Sequence, residues 1–228
     1  MPSLEKIREN LEKVRQVIAG RPVTIVAVTK YHDATIYDLC RKLGLYHIGE
    51  NRAQEVRQKI QPEGKKDLVV HFIAPVQLKN VKYLRQRIDS YDALSDERLL
   101  EPLSHIREEP LPVLLQVNVT GEMQKSGLDA KNYRAILSLA KKIEQNTALR
   151  LEGIMAMGPT PTAYFKRGFA DYEESTKKAF KKAQEIHKQL ENDLGHKLSR
   201  LSLGMSHDYD LALEFGSTEV RLGSILWD

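Results

Sequence analysis

The amino-acid sequence predicts a single (β/α)8 barrel that carries one extra helix at its N-terminal end. Apolar strand-like segments alternate with helical segments, the connections between them are short, and a chain of 228 residues accommodates eight such units. The predicted strands cover residues 23–28, 45–48, 68–73, 90–93, 113–119, 149–154, 198–203 and 219–222. An open, doubly wound sheet is the alternative architecture for the same alternation.

The helices are predicted from apolar residues that recur at helical spacing. The extra helix ends before Gly20 and Pro22. Its apolar stripe consists of Leu4, Ile7, Leu11, Val14 and Ile18. Between the strands, one helix carries Val81 and Leu84, one starts near residue 95 with residues 95–98 as its N-cap, and the longest runs from about residue 170 to 190.

Composition restricts the cellular setting of this protein. Charged residues make up 29% and hydrophobic residues 41% of the chain, which is ordinary for a globular protein. The single cysteine, Cys40, excludes an internal disulfide and suits a reducing compartment. Neither an apolar signal core nor a stretch long enough to span a bilayer is found. We therefore expect a cytoplasmic protein with no membrane partner, organised as one domain over residues 1–228.

The net charge of +4 favours anionic ligands only weakly. The basic residues Lys177, Lys178, Lys181 and Lys182 lie in a helical segment among acidic ones, which is typical of a solvated helix face. No basic motif interspersed with aromatic residues supports a nucleic-acid surface. We therefore expect no nucleic-acid partner.

Lys30 closes the first predicted strand and is the most informative residue of the sequence. The preceding run, residues 23–29, is apolar and β-branched, as in a strand buried on both faces. In α/β folds the carboxyl ends of strands carry the active site. A partly desolvated amine there can attack an aldehyde and form a Schiff base. The alternative is a lysine that simply points into solvent.

Two further strand ends offer donors for an anion. Gly204-Met205-Ser206 and Gly223-Ser224 each combine a glycine, backbone amides and a hydroxyl group. Such groups suit a phosphate monoester, and the last strands of a barrel often form a phosphate site. An isolated Gly-x-Ser is also common in plain turns, so each segment alone indicates little.

Seven segments, in order, resemble the pyridoxal phosphate homeostasis protein family, which shares the barrel of the alanine racemase N-terminal domain. They are Ala27-Val28-Thr29-Lys30 and residues 49–55, 71–73, 125–128, 153–157, 203–206 and 216–223. The chain departs from the family pattern at Ala74, at Lys79-Asn80, at Ser224 and at its last two residues. Ser224 keeps the hydroxyl of the commoner threonine, whereas the exchanged Lys79-Asn80 puts any role of that loop in doubt.

The resemblance implies an alanine-racemase-like barrel, of fold type III among pyridoxal phosphate proteins, without the C-terminal β domain. It implies that Lys30 holds pyridoxal 5′-phosphate (PLP) as an internal aldimine. The other cofactor-binding residues implied are Asn51, Ser206, Arg221, Gly223 and Ser224. Arg221 would face the pyridine nitrogen and keep it unprotonated, because a guanidinium only donates hydrogen bonds. The alternatives are an arginine paired with a carboxylate and, for Asn51, a helix N-cap.

The implied function is to hold PLP within intracellular vitamin B6 homeostasis without turnover. No catalytic residue and no metal ligand are expected. The alternative is an amino-acid racemase, but racemases of this barrel add a β domain that supplies a second base, and this chain ends after its eighth predicted strand. Expected partners are PLP, other B6 vitamers and, transiently, PLP-dependent enzymes, with the protein a monomer.

Two other segments are ambiguous. His71, at the end of a predicted strand, is expected to be packed and hydrogen-bonded rather than an acid or base. The loop of residues 158–162 fits either a stiff lid over the site or an ordinary surface loop.

Overall fold

The computed structural model describes residues 3–161 and 169–228, and within them eight parallel strands close into a barrel. The first strand, Thr24–Val28, pairs with the second, His47–Glu50, and with the last, Glu219–Leu222, and Ser90–Leu94 pairs with Leu111–Asn118. The barrel strands are β1 Thr24–Val28, β2 His47–Glu50, β3 Val69–Phe72, β4 Ser90–Leu94, β5 Leu111–Asn118, β7 Leu149–Ala156, β8 Arg200–Ser202 and β9 Glu219–Leu222. The predicted barrel is confirmed, and the open sheet is wrong because no edge separates β4 from β5.

The strands are surrounded by helices on their outer faces. These are α1 Leu4–Ile18, α2 Thr35–Lys42, α3 Ala53–Lys59, α4 Leu100–Leu103, α5 Tyr133–Glu144, α6 Phe169–Leu194, α7 Tyr209–Glu214 and α8 Ser224–Trp227. The extra helix α1 begins at the N-cap Ser3, whose hydroxyl accepts a hydrogen bond from the Lys6 amide at 3.2 Å. Four members of its apolar stripe, Ile7, Leu11, Val14 and Ile18, are buried in the core, whereas Leu4 is exposed. None of the described helices is long and apolar enough to cross a membrane.

The structure differs from the predicted elements at four places. The segment with Val81 and Leu84 is a 3-10 helix, Leu78–Leu84. The helix expected from residue 95 begins as the 3-10 helix Glu97–Leu99, capped by Asp96 rather than Ser95, and continues into α4. The short strand β6, Leu128–Asp129, pairs with β5, and the terminal helix α8 follows β9. Both elements are too short to show a periodic pattern.

The interior of the barrel is polar, although its strands are mainly apolar. Residues that are paired between neighbouring parallel strands point to the same side of the sheet. Val26 is paired with His47 and Arg221, Gly49 with His71, and Ser202 with Glu219. Since Arg221 reaches past β8 to the carbonyl of Ala156 in β7, this side is the interior. The apolar core therefore lies mainly between the strands and the helices.

Candidate functional site

Lys30 lies at the carboxyl end of β1, at the rim of the barrel. The Thr29 amide donates to the Gly49 carbonyl at 3.0 Å, so β1 stays attached to β2 up to the residue before the lysine. Tyr31 then takes a left-handed conformation, with φ of 72°, and its ring is 72% exposed. The Lys30 Nζ lies 5.4 Å from the centroid of this ring. Lys30 is half-buried and lies beside this exposed ring.

The buried carboxylate of Glu50 contacts Thr29, the residue that precedes Lys30. It accepts hydrogen bonds from Thr29 Oγ1 at 2.6 Å, from the Tyr37 hydroxyl at 2.9 Å and from Lys59 Nζ at 3.2 Å. Burial, followed by the charge of Glu50, raises the pKa of Tyr37, so this phenol remains a donor. Glu50 is not among the cofactor-binding residues predicted from the sequence. Because Thr29 precedes Lys30 directly, Glu50 fixes the backbone from which the lysine projects.

Asn51 follows Glu50 at the same rim and has an unused acceptor. Its Oδ1 is buried and has no hydrogen-bond partner among the described residues. Helix α3 has Arg52, not Asn51, at its N-cap position, and no side chain caps it. The N-cap alternative for Asn51 is therefore wrong. A buried carbonyl oxygen without a partner is unfavourable by itself and suits a site that a ligand completes.

The two Gly-Ser segments meet at the ends of β8 and β9. Ser206 Oγ accepts hydrogen bonds from the amides of Gly223 and Ile225, both at 3.2 Å. Its hydroxyl hydrogen can still be donated, while Ser224 is exposed at the first turn of α8. A Cβ added to Gly223 would meet nothing closer than Val28 Cβ at 3.6 Å. That distance is an ordinary van der Waals contact, so Gly223 lies against the end of β1.

Helix α8 is attached to the lysine strand through Trp227. Its indole Nε1 donates to the Val28 carbonyl at 2.7 Å, and the ring of His32 packs against the indole with a centroid distance of 5.7 Å. On the β8 side, Gly204 has a φ of 92°, and a Cβ there would lie 2.8 Å from Tyr209 Cα. Only glycine permits this approach. These contacts hold Gly223-Ser224 next to the end of β1.

Arg221 lies inside the barrel below this rim and is 4% exposed. Its Nη1 donates to the Ser202 hydroxyl at 2.6 Å and to the Ser202 carbonyl at 3.0 Å, and Nη2 donates to the Ala156 carbonyl at 3.0 Å. Among the described residues, no carboxylate forms an ion pair with it, so the carboxylate-paired alternative is wrong. Burial lowers the pKa of Arg221. A guanidinium nevertheless stays protonated in proteins.

The opposite, N-terminal end of the barrel holds a dense ionic cluster around His71. His71 is 3% exposed, and its Nδ1 lies 2.8 Å from Asp92 Oδ2. Its Nε2 lies 2.9 Å from Nδ1 of His47. Arg200 Nη2 donates to Asp92 at 2.8 Å and to Glu219 at 2.6 Å. His71 is therefore packed and hydrogen-bonded, as the sequence indicates.

The side chains of His71, Asp92 and Glu219 converge as metal ligands would. The Arg200 Nη2 lies between them, within 3.0 Å of His71 Nδ1 and closer to both carboxylates. The guanidinium thus occupies the position that a metal ion would take between these three side chains. Burial disfavours its charge, but attraction to Asp92 and Glu219 prevails and raises its pKa.

Two remaining predictions concern a loop and the cysteine. Of residues 158–162, Thr162 lies outside the described residues. Thr160 donates through its amide and hydroxyl to Glu122 at 3.2 and 2.8 Å, and Lys125 Nζ donates to the Gly158 carbonyl. This loop is therefore tied to the segment after β5. Cys40 is buried, which raises the pKa of its thiol to about 12 and makes the thiol unreactive.

Comparison with known proteins extends these observations. The family model of the alanine racemase N-terminal domain matches residues 3–227. The chain is 31% identical to a pyridoxal phosphate homeostasis protein of Schizosaccharomyces pombe, covering 94% of this chain and 87% of that protein. It is 34% identical to a protein of the same description from Pseudomonas aeruginosa, covering 98% and 96%.

Solved structures show the same architecture. PipY of Synechococcus elongatus, determined with PLP bound, is similar with a TM-score of 0.81 at 25% identity, covering 97% of this chain and all of that one. Alanine racemase of E. faecalis is similar with a TM-score of 0.73 at 17% identity. That similarity covers 99% of this chain but 58% of the racemase, and it shows the fold alone. The barrel is thus alanine-racemase-like.

Proposed function

Because this chain belongs to the pyridoxal phosphate homeostasis protein family, we propose that it holds PLP as a Schiff base on Lys30 and takes part in intracellular vitamin B6 homeostasis. One observation carries the proposal: a half-buried lysine at the end of β1 shares its rim with the Ser206–Gly223 donors at the ends of β8 and β9. The binding unit is one barrel domain of residues 1–228.

The residues at this rim fit the functional groups of PLP. A phosphate monoester can accept a hydrogen bond from the hydroxyl of Ser206, whose oxygen is held in place by the amides of Gly223 and Ile225. Ser224 adds an exposed hydroxyl beside them. The unpartnered Oδ1 of Asn51 accepts a donor of the cofactor or of an ordered water.

Arg221 favours holding the cofactor over turning over a substrate. Bound PLP supplies an aldehyde for amines and a ring that withdraws electrons best when its nitrogen is protonated. Arg221 is a donor only, and the described groups around it are carbonyl and hydroxyl oxygens rather than a carboxylate. It keeps the ring nitrogen unprotonated and weakens the electron sink. We therefore propose no turnover; amino-acid racemisation is the competing function, because racemases share the fold.

The proposal includes a cytoplasmic monomer. It binds PLP and other B6 vitamers and contacts PLP-dependent enzymes only transiently. Sedimentation at several protein concentrations checks the monomer, and a mass that rises with concentration would contradict it.

A spectral titration tests the covalent part of the proposal. Cofactor-free protein titrated with PLP should develop a visible absorption band that Lys30→Ala lacks. Lys42→Ala, which removes an exposed lysine at the end of α2, should behave as the wild type. An unchanged band in Lys30→Ala would show that another amine reacts.

Isotope exchange tests the absence of turnover. The PLP-loaded protein, incubated with L-alanine or L-serine in deuterated water, should give no enantiomer, keto acid or α-deuteration above the level of free PLP. Sustained exchange by the protein would favour the racemase function.

A further inference from the structure

A column of polar side chains runs through the barrel from its N-terminal mouth to Arg221. Starting from the cofactor end, Arg221 Nη1 donates to Ser202 Oγ at 2.6 Å, and Ser202 Oγ donates to Glu219 Oε1 at 2.7 Å. Glu219 Oε2 accepts from Arg200 Nη2 at 2.6 Å. The proposed function uses only Arg221, although every member of this chain of contacts is inside the barrel.

The same column continues to solvent through Asp92, His71 and His47. Both hydrogens of Arg200 Nη2 are used by Asp92 and Glu219, so the 3.0 Å contact with His71 Nδ1 is not a hydrogen bond. A separation of 2.8 Å between His71 Nδ1 and a carboxylate oxygen requires a proton, which places a hydrogen on Nδ1. The Nε2 of His71 then faces Nδ1 of His47 at 2.9 Å.

The direction of the pKa changes agrees with this arrangement. Burial opposes the charge on His71, but Asp92 and then Glu219 outweigh it and raise its pKa. Burial, followed by the nearby His71, lowers the pKa of His47. Of the two imidazoles, His71 thus holds a proton more strongly than His47 does.

His47 lines a pocket of about 440 Å³ at the N-terminal mouth of the barrel, and several charged residues line it as well. Asp89 is paired there with Lys65 and Arg107. Glu152 is paired with Arg150 at 2.8 Å and with Arg200 at 3.3 Å. Glu152 therefore contacts the column at Arg200, but it has no contact with Ser202 or Arg221 in the described part of the chain.

We infer that Glu219 is a positioning residue for Arg221, acting through the hydroxyl of Ser202, and that it sets the electrostatic environment of the cofactor from within the barrel. This inference rests on the proposed function. A serine hydroxyl has one hydrogen to donate and turns to suit its best acceptor. Glu219 takes that hydrogen, so the lone pairs of Ser202 face Arg221. Without the carboxylate, the hydroxyl can rotate and the guanidinium loses its oriented acceptor.

The experiment compares Glu219→Gln with Glu152→Gln, because both replace a carboxylate that contacts Arg200. Glu219→Gln should weaken PLP binding about tenfold, as expected for a lost charge-assisted hydrogen bond. The pH midpoint of the bound cofactor's absorption change should fall by roughly one unit, since removing a negative charge from the barrel interior disfavours a proton on the Lys30 linkage. Glu152→Gln should change neither quantity appreciably.

A double-mutant cycle tests whether Glu219 acts through Ser202. Ser202→Ala should also weaken PLP binding. The variant that carries both Ser202→Ala and Glu219→Gln should bind PLP no more weakly than whichever single variant has the lower affinity. Losses that multiply in the double variant would overturn the inference, as would a midpoint shift in Glu152→Gln equal to that in Glu219→Gln. If Glu219→Gln does not fold, unchanged PLP affinity in Ser202→Ala overturns it and weaker binding supports it.

One measurement separates this inference from the proposed function. In cofactor-free protein, the guanidinium hydrogens of Arg221, observed by nitrogen-15 NMR, should exchange slowly in the wild type and faster in both Ser202→Ala and Glu219→Gln. Equal exchange in all three proteins would overturn the inference. Absence of PLP binding by the wild type would contradict the proposed function alone.

Discussion

The two ends of the barrel hold polar residues in opposite ways. At the carboxyl-end rim, Lys30 is half-buried, and Asn51 Oδ1 is buried without a partner among the described residues. At the N-terminal end, the Asp92 carboxylate accepts from His71, Arg200 and Ser90. One end leaves hydrogen-bonding capacity unused, and the other uses it within the protein.

This difference separates a binding site from a stabilising cluster. Both ends contain the residue types that catalysis and metal binding use, so residue type alone does not distinguish them. Unused hydrogen-bonding capacity does distinguish the two ends, because a buried polar atom without a partner is unfavourable until a ligand supplies a partner. In barrels of this kind, function lies at the carboxyl ends of the strands and stability at the other end.

The largest expected effect is at the N-terminal end. Asp92→Asn leaves the buried His71 and the half-buried guanidinium of Arg200 with Glu219 as their one shared carboxylate, and sets an amide N–H against their donors. Breaking a buried ion pair in this way should lower the free energy of unfolding by about 3–5 kcal/mol. Urea denaturation of the cofactor-free protein measures it. Asp67→Asn breaks a half-exposed pair with Arg41 and should leave the unfolding midpoint unchanged.

The contribution of Asp92 should also depend on pH. Burial alone would raise the pKa of this carboxyl, but His71 and Arg200 outweigh burial and hold it below its ordinary value of 3.8. Its stabilising effect is therefore complete above pH 3.8 and is lost as the pH falls through the lowered folded-state value. Urea unfolding from about pH 7 down to about pH 2 should show a shallower acid loss in Asp92→Asn than in the wild type. Equal slopes would contradict the assignment.

At the carboxyl-end rim, the phosphate donors should act on affinity rather than on stability. Ser206→Ala should weaken PLP binding by about 1.5–3 kcal/mol, since a hydrogen bond to a charged group is lost. Binding of pyridoxal, which lacks the phosphate, should change little. Ser224→Ala, at an exposed position, should cost less because water can substitute. Equal losses for PLP and pyridoxal would mean that these hydroxyls do not contact the phosphate.

The smallest expected effect is that of Asn51→Ala, which should raise the stability of the cofactor-free protein and lower its affinity for PLP. Asn51→Ala removes a buried oxygen that has no partner among the described residues. The cofactor-free protein should therefore gain about 0.5–1 kcal/mol in the free energy of unfolding, while its affinity for PLP falls by a similar amount. Denaturation and spectral titration of the same preparation measure both. A loss of stability in the cofactor-free variant would show that Asn51 is structural.

The rim could be predicted from the sequence, whereas the interior column could not. Lys30, Ser206 and Gly223 each end an apolar run, and parallel strands bring their carboxyl ends to one face, so their meeting follows from the fold. The column contains one or two polar residues from each of several mainly apolar strands. Those residues meet only because the barrel closes, as Arg200 of β8 contacts Asp92 of β4 across the interior. The spacing of residues along the chain therefore does not predict the contact between Arg200 and Asp92.

Element type was harder to predict than element position. Each of the eight barrel strands overlaps the mainly apolar segment that predicts it. The segment Leu78–Leu84 has helical apolar spacing, yet it forms a 3-10 helix. Spacing of three and four residues fits both kinds of helix over so short a length.

The central claim is that Lys30 alone forms the covalent bond to PLP. Purified protein loaded with PLP, reduced with borohydride and digested should yield a single modified peptide that contains Lys30. The neighbouring lysine, Lys59, should remain unmodified because its amine is engaged in ion pairs with Glu50 and Glu55, both at 3.2 Å. A modified peptide that carries Lys59 or any other lysine in place of Lys30 would contradict the account.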